Sequence, residues 1–193
     1  MPLILASTSS IRAAMLDQAG VEFDVRAPSL DEEAIKRDHA GDGESLACLL
    51  AEAKASSVMA DPGDWAIGSD STISVEGKAY SKARDRAEAA AHLAAFSGRT
   101  MILSSAVALA REGLVDWSHA ETARLDVRPL SPAFIESYLD AEWPEVSYCV
   151  GAFRMEGRGV TLFDKVEGNH FTILGMPLIP LLGALRQRGL LPS

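Results

Sequence analysis

Apolar and polar residues alternate in short blocks along the chain, and the spacing within each block predicts the element. Leu3–Ala6 is an apolar run of the kind a buried strand needs, and Ser7-Thr8-Ser9-Ser10 interrupts it at once. Beyond it Ile11, Ala14, Met15 and Ala19 recur at helical spacing, with Ser9 or Ser10 as the N-cap and Gly20 as the stop. The chain therefore opens strand, hydroxyl-rich turn, helix. Residues 21–25 read as a second strand and 28–43 as a polar loop carrying Asp31-Glu32-Glu33. Residues 44–60 read as a helix, with Leu46, Leu49, Leu50 and Ala53 on one face. Residues 65–70 form a strand running into a polar turn, and 73–75 continue the extended chain.

The second half follows the same rhythm. Residues 84–96 are Ala-rich and helical, closed by Ser97-Gly98. Residues 101–110 and 115–127 read as strands, the latter alternating at Ala123, Leu125 and Val127. Ser131-Pro132 is a cap followed by an N1 proline and starts a helix through Leu139. Residues 148–153 and 160–166 read as strands around a glycine-bearing turn, and 177–188 as a last helix stopped by Gly189. Helices and strands alternate with no repeat and no linker. The expectation is one α/β domain over residues 1–193, with a mixed sheet flanked by helices.

Composition narrows the class. The 193 residues are 48% hydrophobic and 23% charged, the profile of a folded globular chain. No apolar run approaches the roughly 18 residues of a membrane span. The first residues lack a basic segment and read as a strand, not a leader, so a cytoplasmic location is expected. Cys48 and Cys149 belong to no CxxC pair and are expected as small core residues in a reducing compartment. A net charge of −9 argues against nucleic-acid duplex or anionic membrane as partners. A polyanionic substrate would need a local basic pocket and help from a divalent metal.

No GxxxxGK[ST], strand–GxGxxG–helix, GxSxG or HExxH occurs, which removes the commonest nucleotide-binding and hydrolase signatures. Five groups of residues remain. The Ser7-Thr8-Ser9-Ser10 turn with Arg12 suits an anion at a helix N-terminus, or is a plain cap with a solvated arginine. Asp70 follows an apolar strand, where a carboxylate can hold a hard cation or take a proton from water, or merely brace a turn. Asp31-Glu32-Glu33 is a source of a second metal ligand, or a solvated loop. Lys54, Lys82, Arg154 and Lys165 are separated cations, the minimum needed to neutralise a triphosphate, or ordinary surface charges. Glu156 sits between Gly151 and Gly159, where glycines let a backbone approach a ligand, or form a simple hairpin.

Taken in order, these segments resemble the Maf-like nucleoside triphosphate pyrophosphatases. Leu3-Ile4-Leu5-Ala6-Ser7-Thr8-Ser9-Ser10-Ile11-Arg12 is similar to that family's opening signature. Asp31-Glu32 resembles its acidic pair, Glu52-Ala53-Lys54-Ala55 its E-K-A helix segment and Ile67-Gly68-Ser69-Asp70 its GSD. Phe96-Ser97-Gly98-Arg99-Thr100 and Gly175-Met176-Pro177-Leu178 resemble later segments, so the likeness runs from about residue 3 to 190. Residues 152–163, with Glu156 followed by Gly157-Arg158-Gly159 and Thr161-Leu162-Phe163, resemble the branch that cleaves 7-methyl-GTP. The chain departs from the family pattern at Ser10, Ala13, Ser81, Ala83 and Met101.

The resemblance implies a Maf/ITPase-like α/β domain with two lobes around a deep cleft, assembled as a homodimer. It implies hydrolysis of a nucleoside triphosphate, foremost 7-methyl-GTP, to monophosphate and pyrophosphate with Mg²⁺ or Mn²⁺. Asp70 is then the general base and, with Glu32, a metal ligand. Ser7, Ser9, Arg12, Lys54 and Lys82 hold the phosphates, and Glu156 meets the base. A dTTP/UTP pyrophosphatase and a non-catalytic regulator of septum formation are the alternatives.

Overall fold

The computed structural model describes residues 3–58 and 61–192. Its strands are β1 (Leu3–Ala6), β2 (Asp24–Arg26), β3 (Trp65–Val75), β4 (Lys78–Tyr80), β5 (Thr100–Arg111), β6 (Leu114–Val127) and β7 (Phe163–Glu167). Its helices are α1 (Ser10–Gln18), α2 (Glu32–Asp38), α3 (Gly43–Ser57), α4 (Arg86–Phe96), α5 (Pro132–Glu142), α6 (His170–Ile173) and α7 (Leu178–Gln187). The strands make one mixed sheet in the order β2-β1-β3-β5-β6-β7, with β4 pairing on β3. β1 is parallel to both β2 and β3, while β4 and β7 pair antiparallel to β3 and β6. The α/β class with a mixed sheet and flanking helices is as the alternation of elements predicts.

Local chemistry explains most boundaries. Ser9 caps α1 by accepting from the Arg12 N–H, and Ser131 caps α5 ahead of its N1 proline. Glu76-Gly77 and Glu112-Gly113, all at positive φ, make two-residue turns that join β3 to β4 and β5 to β6. Along β5 the side chains sort strictly by parity: Val107 and Leu109 enter one apolar cluster and Ala106, Ala108 and Ala110 another.

Five expectations are corrected. Residues 28–43 are not all loop, because Asp31 caps α2 by accepting from Ala34 N–H at 3.0 Å. α2 buries no residue, so it leaves no amphipathic stripe to read. Asp70 does not stand in a turn, since β3 runs on through Val75. Residues 148–153 form no strand. Gly151 and Ala152 both adopt positive φ, which extended pairing cannot accommodate. The strand expected over 160–166 begins only at Phe163, because 3₁₀ turns occupy Glu145–Tyr148 and Arg158–Leu162. The end of the predicted 44–60 helix at 59–60 lies outside the described residues. Cys48 and Cys149 are thiols outside any disulfide and only half-buried, rather than core residues.

The chain divides into two compact units. The first comprises Met1–Ser71, Ser104–Glu121 and Asn169–Ser193, and the second Thr72–Leu103 and Thr122–Gly168. The first unit's core joins Leu3 and Leu5 of β1 and Ile67 of β3 to Met15 and Leu16 of α1 and Leu181 and Leu185 of α7. Each fully buried Leu or Ile contributes about 1.5–3 kcal/mol by leaving water. A second layer packs Ala47, Ala51 and Ala55 of α3 on the β5 alanines. In the second unit α4 lies beside α5, and Arg86 reaches Glu136 at 2.7 Å and Asp140 at 2.6 Å.

Candidate active site

The first unit gathers charge on β3, just past the carboxyl end of its neighbour β1. Small residues make this possible. A Cβ on Gly68 would lie 2.0 Å from the Ala51 carbonyl oxygen and 2.4 Å from the Ala55 nitrogen, so only glycine lets the α3 backbone rest on β3. Asp70 is two residues along and shares that strand face. The close approach brings Lys54 of α3 onto it: Nζ donates to Asp70 Oδ1 at 2.6 Å. The same Nζ is 3.0 Å from Glu32 Oε1 at the start of α2. The Lys54 side chain is 8% exposed and that of Asp70 13%, so this ion pair is largely shielded from solvent. A lysine so enclosed is tolerated because two carboxylates compensate it.

Lys36 extends the array. It lies 2.7 Å from Glu33 Oε1 and 4.0 Å from Glu32 Oε2. Burial by itself would lower the Lys36 ammonium. The Glu33 hydrogen bond and the charges of Glu33, Glu32 and Asp70 outweigh it and hold the group above its ordinary value. Signs thus alternate through Glu33, Lys36, Glu32, Lys54 and Asp70.

The hydroxyl-rich turn adjoins the end of β1. Ser7 is buried, and its Oγ accepts from Ser9 N–H at 3.1 Å. Ser9 Oγ accepts from Arg12 N–H at 3.5 Å. Arg12 is tied down as well: Nε donates to the Gly175 carbonyl at 2.9 Å and Nη2 to Ser71 Oγ at 3.1 Å. The Gly175 carbonyl also accepts from Ser69 and Ser71 Oγ at 3.1 and 3.2 Å. Ser71 and Ser105 share a hydrogen bond at 2.8 Å, and Ser105 Oγ donates to the Thr172 carbonyl. Arg12 is therefore a fixed charge held by Gly175 and Ser71, and the solvated-arginine reading fails.

The second unit holds the remaining predicted residues. Lys82 is exposed on the connection between β4 and α4. Glu156 is exposed on a turn and pairs with Arg154 at 3.4 Å. Lys165 lies on β7 and pairs with Glu167 at 2.6 Å, a solvated pair of little energetic consequence.

A family model described as "Maf-like protein" matches residues 2–188. The chain belongs to this Maf-like family. A 7-methyl-GTP pyrophosphatase of Rhizobium meliloti (strain 1021) is 45% identical over 191 residues, 97% of this chain and 96% of that one. A nucleoside triphosphate pyrophosphatase of Nitrobacter hamburgensis is 45% identical over 192 residues, 98% and 95% of the two chains. Among solved structures, a HAM1 protein from Coxiella burnetii is 16% identical, with a TM-score of 0.42 over 66% of this chain and 73% of that one.

In this Maf-like protein the array has the donors a hard cation prefers. Glu32 and Asp70 both reach the Lys54 ammonium, so their carboxylates stand within one ion's neighbourhood. Among the described residues no group of three or more His, Cys, Asp or Glu side chains converges as a metal cage. Two carboxylates, with other positions left to phosphate oxygens and water, is the pattern that suits Mg²⁺ or Mn²⁺. Sequence reasoning missed Lys36, Ser71 and Ser105. Lys36 stands four residues after Glu32, a helical neighbour that the loop reading of 28–43 hides. The cap at Asp31 with Lys36-Arg37 in the last turn is the signal that finds it.

Proposed function

We propose that this Maf-like protein is a nucleoside triphosphate pyrophosphatase that cleaves the α–β phosphoanhydride, with 7-methyl-GTP as its favoured substrate. One observation carries the chemistry: Asp70 is held by a shielded lysine beside a second carboxylate, on β3 two residues past the point where its parallel neighbour β1 ends. Water attacks the α-phosphorus and its proton passes to Asp70. The bond from the α-phosphorus to the bridging oxygen breaks, and monophosphate and pyrophosphate leave. Lys54 fixes Asp70 through Oδ1, which leaves the other carboxylate oxygen to serve as base. Glu32 and Asp70 would hold the divalent cation, which offsets charge on the phosphate oxygens.

Ser7, Ser9 and Arg12 are assigned phosphate contacts at the start of α1, and Lys82 is assigned a phosphate contact as well. Glu156 is assigned to the base. The name of the Rhizobium relative and a carboxylate at this position both favour a base that carries positive charge. Because Glu156 pairs with Arg154, a cationic base must compete with that guanidinium for it. A homodimer in the cytoplasm completes the reading, and sedimentation of the purified protein tests the dimer.

Pyrophosphate release from 7-methyl-GTP, GTP, dTTP and UTP with Mg²⁺ or Mn²⁺ tests the function. The expected result is one pyrophosphate per monophosphate, fastest from 7-methyl-GTP. No release from any of the four overturns the enzyme reading, and dTTP or UTP as the fastest substrate overturns the branch. Glu156→Gln should move preference toward dTTP and UTP.

A further inference from the structure

Glu142, on the last turn of α5, is a carboxylate that the catalytic reading does not use, and it is nine-tenths buried. Its Oε1 accepts from the Arg158 N–H at 3.4 Å. Its Oε2 is fully enclosed and has no hydrogen-bond partner among the described residues. A buried oxygen left in that state is rare in folded proteins and asks for an explanation.

The surroundings show what the carboxylate supports instead. Gly157 covers the carboxylate, and a Cβ there would lie 3.2 Å from Oε2 and 3.6 Å from Oε1. Gly157 N–H donates to the Arg154 carbonyl at 3.1 Å. Gly159 packs so closely on Arg154 that a Cβ would come within 2.4 Å of the Arg154 carbonyl oxygen. Residues 154–159 therefore form one closed turn resting on Glu142. One helical turn earlier on the same α5 face, Tyr138 donates its hydroxyl to the Ala152 carbonyl at 3.1 Å. Burial pushes the Tyr138 phenol well above its ordinary value, so it remains a donor. Two α5 side chains spaced i, i+4 thus hold the segment at Ala152 and at Arg158. Glu156 lies between the two anchors.

We propose that Glu142 is a positioning residue: with Tyr138 it fixes the turn at residues 152–158 and so sets where Glu156 stands against the base. Glu142 itself is too enclosed to touch the nucleotide. The part concerning the base rests on the pyrophosphatase reading, whereas the anchoring of the turn does not.

Glu142→Gln keeps an acceptor oxygen at the same place, and Glu142→Ala removes it. Amide exchange measured by NMR reports the turn. Exchange at Arg158 should speed about tenfold in Glu142→Ala and stay within about threefold in Glu142→Gln. Binding of non-hydrolysable analogues of 7-methyl-GTP and UTP reports Glu156. Their affinity ratio should fall about tenfold in Glu142→Ala and be rescued by Glu142→Gln. In turnover the Glu142→Ala loss should fall on KM more than on kcat. Unchanged exchange at Arg158 overturns the anchor, and a Glu142→Gln ratio as low as that of Glu142→Ala shows that charge, not position, matters. If Glu142→Ala does not fold, Tyr138→Phe cuts the other anchor and should shift both readouts in the same direction. No shift there overturns the proposal. If the unaltered protein binds neither analogue, the nucleotide reading fails while the exchange measurements still judge the anchor.

Discussion

Asp70 and Glu142 are both carboxylates drawn out of solvent, and their surroundings differ in kind. Asp70 faces a lysine that also meets Glu32, and Lys36 completes an array of alternating charge. Glu142 meets a single backbone N–H and leaves one oxygen with no partner among the described residues. The first arrangement sets each carboxylate against a lysine. The second uses a carboxylate to hold main chain, which needs an acceptor and not a counter-charge. Burial alone therefore does not mark a catalytic acid; the partners decide.

Asp70→Asn keeps the shape and an acceptor for Lys54 but removes the carboxylate proposed as the base. Turnover should fall about 10²–10⁴-fold, as expected for loss of a general base. Calorimetric nucleotide binding should persist, and near-normal turnover would remove Asp70 from the role. Lys54→Ala leaves Asp70 and Glu32 without their shared cation. Breaking a buried pair from one side costs about 3–5 kcal/mol, measurable as a drop in the urea midpoint. A loss below about 1 kcal/mol would place this pair with ordinary surface bridges.

On the other side of the comparison, Gly157→Ala presses a methyl group on the Glu142 carboxylate. Overpacking of this kind costs about 1–3 kcal/mol, again read from the urea midpoint. The smallest effect concerns an exposed pair. Hydrogen bonds from Arg84 hold the Glu88 carboxyl down at about 2, against an ordinary 4.5. The folded value is the lower one, so the contact stabilises above about pH 4.5 and its contribution drains as pH falls toward 2. Arg84→Ala should return the Glu88 titration, followed by NMR, toward 4.5 and flatten acid sensitivity slightly in that window.

What was legible in the sequence follows the range of the interactions. Ser9 and Ser131 are readable as caps because their bonds reach only three residues. Strands β1, β5 and β6 are readable because alternation or an unbroken apolar run is enough to bury them. The α2 helix is not, since it buries nothing. Residues 148–153 mislead because Val150 and Phe153 imitate strand residues while Gly151 and Ala152 turn the chain. Of the candidate site, Asp70, Lys54, Glu32 and Arg12 stand out as residue types in order, but nothing local says that they meet.

By itself, then, the sequence determined an acidic α/β chain, its caps, most of its strands and the motifs that mark it as Maf-like. The tertiary structure alone decided that Lys54 is compensated by Asp70 and Glu32. It alone decided that Arg12 is held by Gly175, 163 positions away, and that Glu142 lies beneath the turn carrying Glu156. The reason is physical. Capping and periodicity are settled within a few residues, whereas the pairing of a buried charge is settled by which distant segments the core brings into contact.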